Sequence, residues 1–221
     1  TQKTVGGYSL FSQALFFGSF ELPMSQIHDI LKTYWGYSEF RPLQEDIIQS
    51  ALNQKDCLAL LPTGGGKSLC FQLPGVVSDG VTLVISPLIA LMHDQVTSLH
   101  SKNVKANFWN STQKVTQIRA MTEDLESGSP SIKLLYITPE SIVSEKFQSI
   151  LRLLAERNQL SLIAVDEAHC ISSWGHDFRP KYRALSSLKK KFPMVPIMAL
   201  TATATQKVRT DILSNLCLKN P

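Results

Sequence analysis

A chain of 221 residues, 43% hydrophobic and 18% charged, can bury one substantial core; this excludes a disordered segment and points to a single folded unit. The formal net charge of +4 permits an acidic partner such as nucleic acid without demanding one. The longest apolar stretch near the start, Leu10 to Phe20, is broken by Ser12, Gln13, Gly18 and Ser19 and has no basic segment before it. It is too short to span a bilayer and does not read as a signal peptide, so no membrane association and an intracellular protein are expected.

Residues 1–24 form an extension of unknown role, with no clear periodicity, ahead of a domain over residues 25–221. From Ser25, a candidate N-cap, the spacing of Ile27, Ile30, Leu31 and Tyr34 predicts an amphipathic helix. Pro42 suits the first turn of a second helix through Ile47, Ile48 and Leu52. The chain then alternates. Strands are predicted at Cys57–Leu61, Val81–Ile85, Ala106–Phe108, Leu134–Ile137, Leu160–Val165 and Ile197–Leu200. Helices are predicted from Lys67, from Leu88 to His100, and over Ile118–Leu125, Phe147–Ala155 and Val208–Leu216. That alternation predicts an α/β fold: a mainly parallel central sheet with helices on both faces, whose ligands gather beyond the carboxyl ends of the strands. Lys189-Lys190-Lys191 reads as a solvated helix end. The four cysteines, Cys57, Cys70, Cys170 and Cys217, show no CxxC spacing, so buried thiols are expected and no zinc.

The chemistry concentrates after the strands. Thr63-Gly64-Gly65-Gly66-Lys67-Ser68 links a strand to a helix. Glycines let backbone N–H groups close around an anion, and the helix start adds a positive dipole end. Lys67 can then reach the β- and γ-phosphates of ATP, with the Ser68 hydroxyl on Mg²⁺. Leu61 stands where the strict P-loop pattern has its first glycine. Asp166-Glu167-Ala168-His169 ends a second apolar strand. Asp166 suits a Mg²⁺ held through water, Glu167 the base that orients and deprotonates an attacking water, and His169 a link from the γ-phosphate to its neighbours. Thr201 and Thr203 close a further strand; a helix N-cap accounts for one of them, and a coupling role for both.

Taken together, several motifs follow the order seen in superfamily 2 helicases. They are Phe40-Arg41-Pro42-Leu43-Gln44, the glycine loop, Ser86-Pro87-Leu88-Ile89-Ala90-Leu91, Ile137-Thr138-Pro139-Glu140, Asp-Glu-Ala-His and Thr-Ala-Thr. The run from Ala168 through Trp174-Gly175-His176-Asp177-Phe178-Arg179-Pro180 narrows the resemblance to the RecQ family. That resemblance covers residues 25–221 and implies a RecA-like P-loop lobe. It implies that Tyr37 and Arg41 sandwich adenine and that Gln44 reads it. It further implies that Trp174, His176, Phe178 and Arg179 sense single-stranded DNA. Ser86, Pro87, Thr138 and Pro139 would grip the DNA backbone. Trp35 and His93 depart from the commoner Phe and Lys.

Family members hydrolyse ATP between two RecA-like lobes, and nothing here matches the second lobe, the zinc-binding module or the winged helix. An arginine finger is worth about 10³–10⁵ in turnover. This chain is therefore expected to bind ATP–Mg²⁺ and single-stranded DNA weakly and to turn over poorly. The parent would unwind DNA 3′-to-5′ at single-strand/duplex junctions in repair or recombination, in the nucleus if eukaryotic. Two alternatives stand beside this: another P-loop NTPase that does not act on nucleic acid, and a catalytically silent binding module. The aromatic-rich run argues against the first. The presence of Lys67, Asp166 and Glu167 argues against the second.

Overall fold

The computed structural model describes residues 24–110 and 112–221. Six strands, β1 (Cys57–Leu60), β2 (Val81–Ile85), β3 (Ala106–Trp109), β4 (Leu134–Ile137), β5 (Leu160–Val165) and β6 (Ile197–Thr201), form one sheet. All pairings are parallel, in the order β1-β6-β5-β2-β4-β3. Every residue of β2, β4, β5 and β6 is buried, as a sheet covered on both faces requires. The helices are α1 (Met24–Trp35), α2 (Gln44–Leu52), α3 (Lys67–Val77), α4 (Ile89–Ser101), α5 (Val115–Glu126), α6 (Glu145–Glu156), α7 (Leu188–Lys191) and α8 (Gln206–Leu216).

Alternate strand residues feed two cores. On one face Val84, Tyr136, Ala164 and Met198 pack with Phe71 of α3 and Met92 of α4. On the other, Leu83, Ile85, Ile163 and Ile197 pack with Leu125 of α5, Leu151 of α6 and Ile212 of α8. The predicted layering is therefore the observed one. A smaller cluster, Ile27, Leu31, Ile48, Leu69 and Leu73, seats α1 and α2 against α3.

Several local expectations are corrected. Ser25 does not cap α1, because the helix already includes Met24. Pro42 lies in a turn ahead of α2, and Leu43 between them takes a left-handed φ of 69°. The cap of α8 is Thr205, whose hydroxyl accepts the Val208 N–H, and neither Thr201 nor Thr203 has that role. The lysine run is solvated only in part, with Lys190 and Lys191 exposed. Lys189 is buried, with Nζ 2.7 Å from Asp56 Oδ1, and Lys191 donates to Gln148 Oε1 at 2.7 Å. The expected extension falls outside the described residues up to residue 23.

Candidate functional site

Strands β1, β6 and β5 are neighbours, so the segments that follow them meet at one rim of the sheet. The Leu61 N–H bonds to the Thr201 carbonyl at 3.2 Å, tying the glycine loop to the end of β6. Within the loop, Gly65 N–H donates to Pro62 O at 2.8 Å, while Gly64 and Gly66 take φ of 77° and 79°. Those angles favour glycine, and a Cβ on Gly66 would also collide with the Gln44 amide. Lys67 opens α3 beside the acid-bearing turn, where its charge depresses the pKa of both Asp166 and His169.

Asp166 is buried, and burial first, then the neighbouring Glu167, pushes its carboxyl up to about 6. The Glu167 N–H at 3.0 Å, Lys67 and the Ser86 hydroxyl at 3.3 Å pull the other way. Tyr182, fully buried, donates its hydroxyl to the Asp166 carbonyl at 3.0 Å and fixes the turn from below. Glu167 sits at φ 48°, a left-handed conformation that is uncommon for a non-glycine residue. Its Oε2 lies 3.3 Å from His169 Nδ1, which also bonds Thr201 Oγ1 at 2.9 Å. The Thr201 hydroxyl in turn donates to Thr203 O at 3.1 Å. Burial lowers the His169 pKa, and its ring stacks on His176 at 4.6 Å.

The Ser68 hydroxyl accepts from Gln95 Nε2 at 3.1 Å. Gln72 Nε2 donates to Gln95 Oε1 at 3.4 Å and to Tyr136 OH at 3.1 Å. A divalent cation between Ser68 and Asp166 would meet oxygen donors, the set that Mg²⁺ takes. It would also relieve a carboxyl that burial and Glu167 hold above its ordinary value. The residues fit the ion.

A cavity of about 390 Å³ opens beside the loop, with Tyr37, Arg41, Gln44, Gly66, Ser68 and Gln95 among its walls. Tyr37 is exposed. The Arg41 guanidinium donates to Gly64 O. Gln44 is buried; its Oε1 accepts the Arg41 N–H at 2.9 Å and its Nε2 donates to Gly65 O and Gly66 O, each at 3.2 Å. The three predicted base contacts thus share one cavity, but two of them are engaged with the loop backbone.

The aromatic-rich segment runs from the 3₁₀ turn Ala168–Ile171 to a second one at Pro180–Ser187. Trp174 is 63% exposed, with Lys207 Nζ 3.0 Å from its ring centroid. Phe178 faces the Arg183 guanidinium at 5.0 Å, and Arg179 pairs with Asp177 at 3.0 Å. Ser172 donates to Asp211 at 2.7 Å and anchors the segment to α8. Ser86 and Thr138 are buried: the first hydroxyl turns to Asp166 and the second to Ser141 at 3.0 Å. Pro139 is buried and Pro87 half-buried. Sequence reasoning missed Gln95, Tyr182, Lys207 and Asp211. Only Gln95 carried a signal, from its place in the Leu91-Met92-His93-Asp94-Gln95 stretch.

A parallel sheet with a glycine loop, an acid pair and a threonine pair at one rim is the RecA-like arrangement. The DEAD/DEAH box helicase family matches residues 41–211, and the chain belongs to that family. It is 49% identical over 191 residues to the ATP-dependent DNA helicase RecQ of Haemophilus influenzae, covering 86% of this chain and 30% of that protein. It is 46% identical to the rat ATP-dependent DNA helicase Q5, over 89% of this chain and 20% of that protein. The chain thus spans less than a third of the length of these curated relatives. The solved helicase MrfA bound to DNA and AMPPNP shares the fold, at TM-score 0.71 and 16% identity, over 89% of this chain and 29% of that one. Among the described residues no helix is long and apolar enough to cross a membrane.

Proposed function

We propose that this chain is the ATP-binding lobe of a RecQ-like, ATP-dependent 3′-to-5′ DNA helicase that acts in repair or recombination, in the nucleus if the source is eukaryotic. Lys67 and the N–H groups of residues 63–68 hold the triphosphate. Ser68 and Asp166 would hold Mg²⁺, and the bound ion would supply charge neutralisation at the phosphates. Glu167 takes the proton from the attacking water, and His169 relays the state of that site through Thr201. Tyr37, Arg41 and Gln44 contact the base. Single-stranded DNA stacks on Trp174 and Phe178, with His176 and Arg179 beside them. A second RecA-like lobe completes the hydrolytic site with an arginine.

One observation carries the reading: β1, β6 and β5 lie side by side, so the glycine loop, tied to Thr201 O by the Leu61 N–H, shares a rim with Glu167, His169 and Thr201, which interlock there. The test is a titration of the chain with a fluorescent ATP analogue, with and without Mg²⁺. Binding should require Mg²⁺ and weaken about tenfold or more in Lys67→Ala, since a charge-assisted hydrogen bond is worth about 1.5–3 kcal/mol. Glu167→Gln should retain binding, and in a protein carrying the second lobe it should stop hydrolysis. Binding that ignores Mg²⁺ would favour the silent module; equal loss of binding in both variants would remove Glu167 from the hydrolytic role.

A further inference from the structure

We propose that His169 Nε2, Cys170 Sγ and Asp177 form a three-ligand site for a soft divalent cation of the zinc class, with a fourth coordination position open. Cys170 Sγ lies 3.7 Å from His169 Nε2 and 3.7 Å from Asp177 Oδ2, and one ligand atom of each residue falls within 4.8 Å of the others. Zinc bonds of about 2.3 Å to sulfur and about 2.0–2.1 Å to nitrogen or oxygen, set at tetrahedral angles, separate sulfur from either partner by about 3.5 Å. The two sulfur distances match this closely, and the nitrogen–oxygen pair, within 4.8 Å, closes toward about 3.4 Å on binding.

The backbone holds this geometry. Arg179 N–H bonds back to Cys170 O at 2.9 Å, and Gly175 comes so close to His169 O that a Cβ there would sit 2.7 Å from it. The outer partners that zinc ligands ordinarily carry are also in place. His169 Nδ1 faces Glu167 Oε2 at 3.3 Å and Thr201 Oγ1 at 2.9 Å, which leaves Nε2 for the metal. Arg179 donates to Asp177 from Nε at 3.2 Å and from Nη2 at 3.0 Å, both on Oδ2, so a cation must share that oxygen with the guanidinium or take Oδ1 after a turn of the carboxylate. No CxxC spacing signals such a site; a 3₁₀ turn supplies two adjacent ligands and a folded-back loop brings the third, seven residues beyond Cys170.

Burial first, and Asp177 second, hold the Cys170 thiol up at about 12, so the bare site keeps its proton. Binding therefore breaks the S–H bond, forms a sulfur–metal bond and releases one proton to solvent. An occupied site pins His169, the partner of Glu167, to the segment that bears Trp174. If the helicase reading holds, on which this consequence alone rests, the cation suppresses DNA-stimulated ATP hydrolysis.

The test titrates Zn²⁺ into the 221-residue chain in competition with a chromogenic chelator, and uses Co²⁺ as a spectroscopic probe. One Zn²⁺ per chain is expected, with a thiolate-to-cobalt charge-transfer band that Cys170→Ser removes and Cys217→Ser leaves intact. Asp177 has a side chain 47% exposed, so Asp177→Asn keeps the fold even if Cys170→Ser does not. It should weaken Zn²⁺ at least about tenfold, because loss of even an outer partner costs about 10–100-fold. The proposal is overturned by absence of stoichiometric Zn²⁺ binding, by a cobalt band that survives in a folded Cys170→Ser variant, or by unchanged affinity in Asp177→Asn. Zinc binding without Mg²⁺-dependent binding of the ATP analogue would sink the nucleotide reading and leave this one standing.

Discussion

At Asp166, burial and charge act against each other. Its carboxyl titrates near 6 in the folded chain, against an ordinary value of 3.8. The folded state therefore holds the proton more tightly than the unfolded state, and the group favours folding at low pH. That contribution is present in full below about pH 4 and is lost as pH rises through about 6, leaving a deficit on the order of 3 kcal/mol at neutral pH. Asp166→Asn should accordingly raise the thermal midpoint of the nucleotide-free chain at pH 7.5, with the gain shrinking toward zero near pH 4. Thermal melts across that range check it, and a pH-independent gain would assign the effect to something other than ionisation. Trp174 is the second residue with a measurable consequence. Its ring is 63% exposed and carries Lys207 Nζ on its face, an aromatic surface with a cation beside it that suits a stacked base and its phosphate. Trp174→Ala should weaken binding of a fluorescein-labelled oligo-dT strand by about 1–3 kcal/mol, read by anisotropy. Unchanged anisotropy would return Trp174 to a purely local role with Lys207.

Between elements, the Asp56–Lys189 pair joins segments 133 residues apart in the chain. Asp56 Oδ1 also accepts the Ile197 N–H at 2.9 Å and Oδ2 the Lys219 N–H at 2.8 Å, so one carboxylate holds the entries to β1 and β6, α7 and the chain beyond α8. Removing one partner of a buried pair leaves an uncompensated charge, and Lys189→Met is expected to cost about 3–5 kcal/mol in urea unfolding. Asp56→Asn with Lys189→Met should recover part of that loss; no recovery would mean the lysine acts through its packing alone. This pair also marks where the sequence ceased to be legible. Apolar runs located all six strands, because a sheet buried on both faces demands them. Three consecutive lysines look like a solvated end when read locally, since their buried partner is remote. Helix starts slipped for a related reason: each depends on one side chain. Gln117 reaches back to the Lys114 N–H at 3.0 Å and Gln44 to the Arg41 N–H at 2.9 Å, so α5 and α2 begin where those amides land.

Across the whole molecule, the strand order converts three distant motifs into one rim, and this order is what the sequence could not supply. The motifs after β1, β5 and β6 were readable one at a time, from glycines, acids and hydroxyls at strand ends. Their adjacency, the Gln95 amide on Ser68 and the anchoring of Ser172 by Asp211 come from tertiary packing. The same holds for the segment between α1 and α2. The sequence marks Arg41 and Gln44 as base contacts, yet in the folded chain they grip the carbonyls of residues 64–66. A nucleotide that used them would have to exchange those bonds for its own, so loop support and base reading compete for one amide. Gln44→Ala separates the two. Loss of support alone loosens the loop for every triphosphate alike, whereas loss of base reading falls on adenine selectively. We expect both effects: faster hydrogen exchange over residues 65–69, and a fall in affinity for an ATP analogue that exceeds the fall for a GTP analogue by about 1 kcal/mol, the net worth of one neutral hydrogen bond. Equal losses for the two nucleotides would assign Gln44 to the loop and leave recognition of the base to Tyr37 and Arg41.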